Sequence, residues 1–227
     1  MAPPSVTAPL RFLNGHLFAE LGSRLWLLDT GAPESFGRNK HIDLLGEHFA
    51  FDDSYHGQGI DGLVKHVGVE CAGLLGSDVL AAFDMIFDEP GGTITFSTGE
   101  LDMDGMAVPL WEFMGLPMIM ADIAGQDYRK FFLDTGAQIS YFQDEALKQF
   151  PHAGKVMDFF PDSEDFETDT HDVAMSLGGV HVTLRCGTLP EVLAGALSMA
   201  SAQGIIGNQL FHTRRVGFFL RQGALIL

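Results

Sequence analysis

Short apolar runs dominate the chain, and most alternate with polar residues at period two, the period of a half-buried strand. Residues 10–32 set the pattern: L-R-F-L-N-G-H-L-F-A-E-L-G-S-R-L-W-L-L-D-T-G-A. An alternating run is followed by a turn at Gly22-Ser23, a second apolar run and a sharp polar turn. That predicts a β-hairpin feeding a tight turn. Residues 116–137, L-P-M-I-M-A-D-I-A-G-Q-D-Y-R-K-F-F-L-D-T-G-A, repeat the arrangement, with the hairpin turn at Gly125-Gln126. Trp26 and Phe131, each three residues before an aspartate, read as core residues of the entering strands.

The repeat has a second part. Residues 73–88, G-L-L-G-S-D-V-L-A-A-F-D-M-I-F-D, match residues 204–219, G-I-I-G-N-Q-L-F-H-T-R-R-V-G-F-F. Each gives Gly, two aliphatics, Gly, a short stretch of helical character, then an apolar strand. T-I-T-F-S at 93–97 closes one copy and A-L-I-L at 224–227 the other. Self-similarity on this scale points to two copies of one structural unit. The expected architecture is all-β, in two halves, 1–105 and 106–227. They join near D-M-D-G-M-A-V-P, where Asp, Gly and Pro mark a turn. The span from the aspartate to the last glycine of the second motif differs, 76 − 29 = 47 residues against 207 − 134 = 73. The second half therefore carries an insertion within 140–203.

Composition narrows the function. The chain has 227 residues, 46% hydrophobic, with 27 glycines and 19 phenylalanines, which suits short strands and tight turns. Thirty acids against 13 bases give a net charge of -17. That argues against nucleic acid and anionic membrane surfaces as partners. Its plain meaning is solubility; its functional meaning is a preference for neutral or basic peptides. Cys71 and Cys186 lie far apart with no Cys-x-x-Cys, and read as buried thiols, with a single bridge as the alternative. The nine histidines show no H-E-x-x-H and no paired ligand spacing, so neither a metal nor a cofactor is expected. No signal-like apolar segment follows the N-terminus, and no 18-residue apolar run occurs. The expected location is cytoplasmic as the chain stands, and periplasmic or secreted if a leader has been trimmed.

The repeated Asp-Thr-Gly-Ala carries the chemistry. Two such turns related by a pseudo-two-fold axis bring Asp29 and Asp134 face to face. Like charges that close cannot both ionise easily, so the pair shares one proton. The ionised partner can then take a proton from water while the protonated one hydrogen-bonds to a carbonyl oxygen. Gly31 and Gly136 permit the tight turn and the approach of backbone N–H groups. Thr30 and Thr135 can lock one turn to the other through side chain to backbone hydrogen bonds.

The two Asp-Thr-Gly turns, with G-L-L-G and G-I-I-G downstream, resemble the aspartic peptidases, the superfamily of pepsins and retroviral proteases. The resemblance covers nearly the whole chain and is most specific at 24–33, 73–88, 129–138 and 204–219. It implies two β-barrel-like lobes with a cleft between them, and Asp29 and Asp134 as catalytic pair. It places Leu74, Leu75 and Gly76, with Ile205, Ile206 and Gly207, beside the catalytic turns. It implies a polypeptide substrate, laid extended across the cleft, with apolar side chains flanking the cut. Pepsins usually have Ser or Thr after Asp-Thr-Gly; here both copies have Ala (Ala32, Ala137), as retroviral proteases do. A hydroxyl there would lower the carboxyl pKa, so a working pH milder than that of gastric enzymes is expected. The short chain resembles a minimal single-chain, bacterial, retropepsin-like type. Both half-sites lie in one chain, so a monomer is expected. The alternative is a catalytically silent peptide-binding protein that keeps the fold.

Two further stretches need a reading. Residues 52–62, D-D-S-Y-H-G-Q-G-I-D-G, contain a formal G-x-G-x-x-G. A dinucleotide site would need an apolar strand before it and a helix after it. Two aspartates and a serine precede it, and L-V-K-H-V-G-V-E follows, which alternates like a strand. The stretch resembles the flap over the cleft in this superfamily, with Tyr55, His56, Gly57, Gln58 and Gly59 as substrate contacts. Residues 157–172 hold seven acids and no Lys or Arg. They read as a solvated acidic loop in the insertion that shapes the cleft or limits access; the spacing does not fit an EF-hand.

Overall fold

The computed structural model describes residues 4–123, 126–159 and 165–227. Strands Ser5–Leu13, His16–Leu21 and Arg24–Leu28 form a meander. Its turns, Asn14-Gly15 and Gly22-Ser23, hold both central residues at positive φ (48° and 83°; 57° and 61°). This mirror-image turn matches the twist of antiparallel strands. Strands Ala107–Phe113, Leu116–Ile123 and Gln126–Leu133 repeat the meander in the second half. Of the expected Gly125-Gln126 turn, Gly125 lies outside the described residues.

Each meander then makes the same unusual step. Arg24–Leu28 pairs in parallel with Gly73–Leu75, and Gln126–Leu133 pairs in parallel with Gly204–Ile206. Phe36–Gly37 and Ser140–Phe142 flank those segments on the other side, antiparallel. The aliphatic segments are thus threaded between the two arms of their own Asp-Thr-Gly turn, beside which the resemblance places them. Leu28, Leu75, Leu133 and Ile206 there are fully buried.

A six-stranded antiparallel sheet joins the halves. Its order is Ser5–Leu13, Thr93–Ser97, Asp84–Asp88, Arg215–Phe219, Ala224–Ile226, Ala107–Phe113. Read from either end, the order is first strand, last strand, strand after the second glycine motif. The central pairing, Met85↔Phe218 to Asp88↔Arg215, crosses between halves. Phe87 packs there against Phe211 and Phe218, at 4.8 and 6.5 Å between ring centroids. Beneath the same sheet the fully buried Asp84 accepts hydrogen bonds from Arg221 Nε (3.1 Å), from Leu101 N (2.9 Å) and from the Gln222 amide. Arg221 also donates to Thr98 O and Gly99 O.

The insertion explains the difference between the halves. His152–Asp158, Phe166–Leu177 and Val180–Gly187 form a long antiparallel run. It returns to Leu116–Ile123 on one side and Ser140–Phe142 on the other, which closes a six-stranded barrel. Most of the described part of the acidic stretch is therefore strand and not loop; residues 160–164 lie outside the described residues. Residues 157–158 end one strand and 166–172 begin the next. Thr168 and Thr170 are buried while Glu167, Asp169 and Asp172 face solvent, the alternation of a half-buried strand. Acid content hid that period.

A second expectation fails in the first half. Residues 60–67 form helix Ile60–Val67, not a strand. Ile60, Leu63 and Val67 are buried at helical spacing against Phe18, Leu27, Phe36 and Leu74. Gly68 ends the helix in the left-handed conformation, its N–H bonded to Val64 O. The helix required by the dinucleotide fingerprint is present, but the strand before it, Ser54–Tyr55, has two residues and pairs only with Gln58–Gly59. Both cysteines are free and buried.

Asp84→Ala should cost about 2–4 kcal/mol, because it leaves a buried N–H and a guanidinium without their acceptor. Urea unfolding checks this; a loss under 0.5 kcal/mol, the scale of an ordinary surface change, would contradict it.

Candidate active site

The two Asp-Thr-Gly turns meet at the base of the two halves, and four hydrogen bonds lock them together. Thr30 Oγ donates to Leu133 O (2.7 Å), and Thr135 Oγ donates to Leu28 O (2.8 Å). In return each hydroxyl accepts the opposite backbone N–H: Thr30 N to Thr135 Oγ and Thr135 N to Thr30 Oγ, both 3.0 Å. Each hydroxyl thus donates once and accepts once, and both threonines are buried. A buried hydroxyl needs such partners to offset its desolvation.

The lock sets the aspartates. Asp29 Oδ1 accepts from Gly31 N (3.0 Å) and Ala32 N (2.9 Å); Asp134 Oδ1 accepts from Gly136 N (2.8 Å) and Ala137 N (3.2 Å). Each glycine lies against the opposite aspartate. A Cβ on Gly31 would sit 2.3 Å from Asp134 Cγ, and one on Gly136 would sit 2.4 Å from Asp29 Cγ. No side chain fits there, which is why the third residue is glycine in both copies. Burial pushes both carboxyl pKa values up. The neighbouring Asp134 charge pushes Asp29 further, while the backbone N–H groups pull both down. The balance favours holding a proton on the pair.

The aliphatic segments support the turns from below. Leu75 O accepts from Asp29 N (3.0 Å), and Ile206 O accepts from Asp134 N (2.9 Å). Four supporting residues escaped the sequence reading. Ser35 Oγ accepts from Gly76 N (2.8 Å), and Ser140 Oγ accepts from Gly207 N (3.1 Å). Ser77 Oγ donates to Thr30 O (2.7 Å), and Asn208 Nδ2 donates to Thr135 O (3.3 Å). The signal was available: serine stands six residues after each aspartate, and a polar residue follows each second glycine.

Tyr55–Gly59 form a tight hairpin, with His56 and Gly57 at its tip (φ 48° and 77°). Tyr55 packs on the cluster around Phe18, Leu27 and Phe36, which Ala32 also touches. Among the described residues no group of three His, Cys, Asp or Glu side chains could hold a metal ion.

The raised carboxyl pKa values make a signed prediction. Below the ordinary aspartate value of 3.8 both carboxyls are protonated, folded or unfolded. As pH rises the unfolded chain ionises first, so the dyad costs stability above that pH. Asp29→Asn keeps the acceptor for Gly31 and Ala32 and removes the repulsion. It should be more stable than wild type at pH 7, by on the order of 1–2 kcal/mol, with the gap closing towards pH 3. Urea midpoints at both pH values measure it; equal stability at pH 7 would refute the repulsion.

No protein-family model matches the sequence, and no curated protein does. Solved structures do match. Basic 7S globulin from soybean superposes with a TM-score of 0.55 at 10% identity, over 98% of this chain and 94% of that one. An aspartic proteinase from Irpex lacteus superposes with a TM-score of 0.53, also at 10% identity, over 98% and 97%. At that identity the likeness speaks for architecture alone. The chain has the two-lobed, all-β fold of the aspartic proteases.

Proposed function

We propose that this protein is an aspartic endopeptidase of a minimal, single-chain, retropepsin-like type, and that Asp29 and Asp134 hydrolyse the peptide bond. One observation carries the reading: two carboxyls, buried and set against each other by interlocked threonines, with raised affinity for a shared proton. A site built only for packing would not bury two acids together, since each costs several kcal/mol to desolvate.

The chemistry follows from the pair acting as a unit. The ionised carboxylate takes a proton from the attacking water, and the protonated carboxyl donates a hydrogen bond to the scissile carbonyl oxygen. The tetrahedral intermediate collapses when a dyad proton reaches the leaving amine. No covalent enzyme intermediate is needed. The backbone N–H groups of Gly31, Ala32, Gly136 and Ala137 hold the carboxyls in place throughout. Ala32 and Ala137 bring no hydroxyl to lower the carboxyl pKa. A working range milder than that of gastric enzymes follows. A polypeptide lies extended across the cleft, with the Tyr55–Gly59 tip at the first-half edge. Both half-sites lie in one chain, so the monomer suffices.

Cleavage of a diverse peptide library between pH 3 and 8 tests the proposal. Wild type should cut, with its maximum above pH 3, and Asp29→Asn and Asp134→Asn should each lose on the order of 10³-fold or more. A folded wild type that cuts nothing would sink the peptidase reading. A maximum below pH 3 would sink the account of the alanines.

A further inference from the structure

The second-half insertion does more than close a barrel. Its first strand ends at Asp158, whose carboxylate accepts a hydrogen bond from the Tyr141 hydroxyl and, through Oδ1, from Phe159 N (2.8 Å). Tyr141 is buried on Ser140–Phe142, one residue from the Ser140 that supports the second Asp-Thr-Gly turn. Its phenol stays protonated, because burial and the Asp158 charge both raise its pKa. The Asp158 charge is also felt at Asp134 and at the buried His16, so this strand end lies near the dyad.

The next residue reaches the other half. The Phe159 ring stacks on His66, with centroids 4.1 Å apart and planes 11° from parallel. His66 is exposed on helix Ile60–Val67, whose inner face packs on Phe36 and Leu74 beside the first Asp-Thr-Gly turn. A continuous chain of contacts therefore runs from the second turn through Ser140, Tyr141, Asp158, Phe159 and His66 to the helix and the first turn. The threonine lock joins the same two turns directly. Together with the lock, these contacts make a closed path through both halves.

We infer that Phe159 and His66 bridge the two halves across the cleft, that Tyr141 positions this bridge through Asp158, and that a polypeptide without a free end enters only when the two rings part. The role in cleavage rests on the peptidase reading; the bridge itself does not.

The test uses full-length His66→Cys/Phe159→Cys and a short bis-methanethiosulfonate, which links adjacent thiols and is reversed by dithiothreitol. The native thiols give little background: Cys71 and Cys186 are buried, with pKa values pushed up to about 11 and about 12. Linking should be rapid, and slower when Tyr141→Phe is added. No linking, or linking indifferent to Tyr141→Phe, would overturn the bridge or its positioning residue, whatever the enzyme activity. The second arm compares one library-selected peptide in linear and head-to-tail cyclic forms, by cleavage and by fluorescence anisotropy in an Asp134→Asn background. Linking should abolish both binding and cleavage of the cyclic peptide, and dithiothreitol should restore them. A linked protein that still takes the cyclic peptide would overturn the inference. Binding that follows this pattern with no cleavage in any form would indict the peptidase reading alone.

Discussion

Everything in the site depends on two threonine hydroxyls. Each gives its proton to a carbonyl of the opposite half and takes an N–H from the opposite threonine. These are buried hydrogen bonds in a region of low dielectric, where an unmet partner is costly. The two turns are therefore held directly to each other as well as to the aliphatic segment of their own half. With the turns fixed, the glycines face the opposite aspartates, and the aspartates face each other. Thr30 and Thr135, 105 positions apart, are thereby held in direct contact.

The lock has a cost that the rest of the fold offsets. Two carboxyls are held together away from water, and both resist ionisation. The stabilisation comes from elsewhere: the six-stranded sheet with its crossing pair of strands, the Phe87, Phe211 and Phe218 cluster, and the Asp84 network below it. Each of these spans both halves. The architecture thus separates its tasks. The sheet holds the halves together, the threonines set the angle between them at the turns, and the carboxyls occupy the strained position that results. Local destabilisation at a site, compensated in the scaffold, is a common arrangement in enzymes.

Much of this was legible in the residues because the repeat exposed it. The doubled Asp-Thr-Gly-Ala and the Gly-aliphatic-aliphatic-Gly segments mark the turns and the strands threaded beneath them. The period-two runs mark the meanders. What was hidden was hidden for physical reasons. The end of helix Ile60–Val67 runs into Gly68-Val69, and Val67 and Val69 either side of Gly68 imitate an alternating strand; only the burial of Ile60, Leu63 and Val67 on one face settles the period. The strand Phe166–Leu177 begins with acids on its solvent face and threonines on its core face, so its alternation is polar on both sides and invisible to hydropathy. Ser35 and Ser140 carry a clear repeat at fixed distance from the aspartates, yet a single serine beside or at the start of a short strand has no signature of its own. The bridge of Phe159 and His66 joins positions far apart in sequence, and no local pattern could announce it.

The central claim is that the two carboxyls behave as one buried acid. Carbon-13 NMR of the protein labelled at aspartate side-chain carboxyls tests it directly, with the two signals assigned by their loss in Asp29→Asn and Asp134→Asn. The account predicts that the pair titrates in two separated steps, that one proton persists well above the ordinary aspartate range, and that either substitution moves the titration of the survivor. Two independent titrations near the ordinary value of 3.8, each untouched by the other's removal, would contradict it.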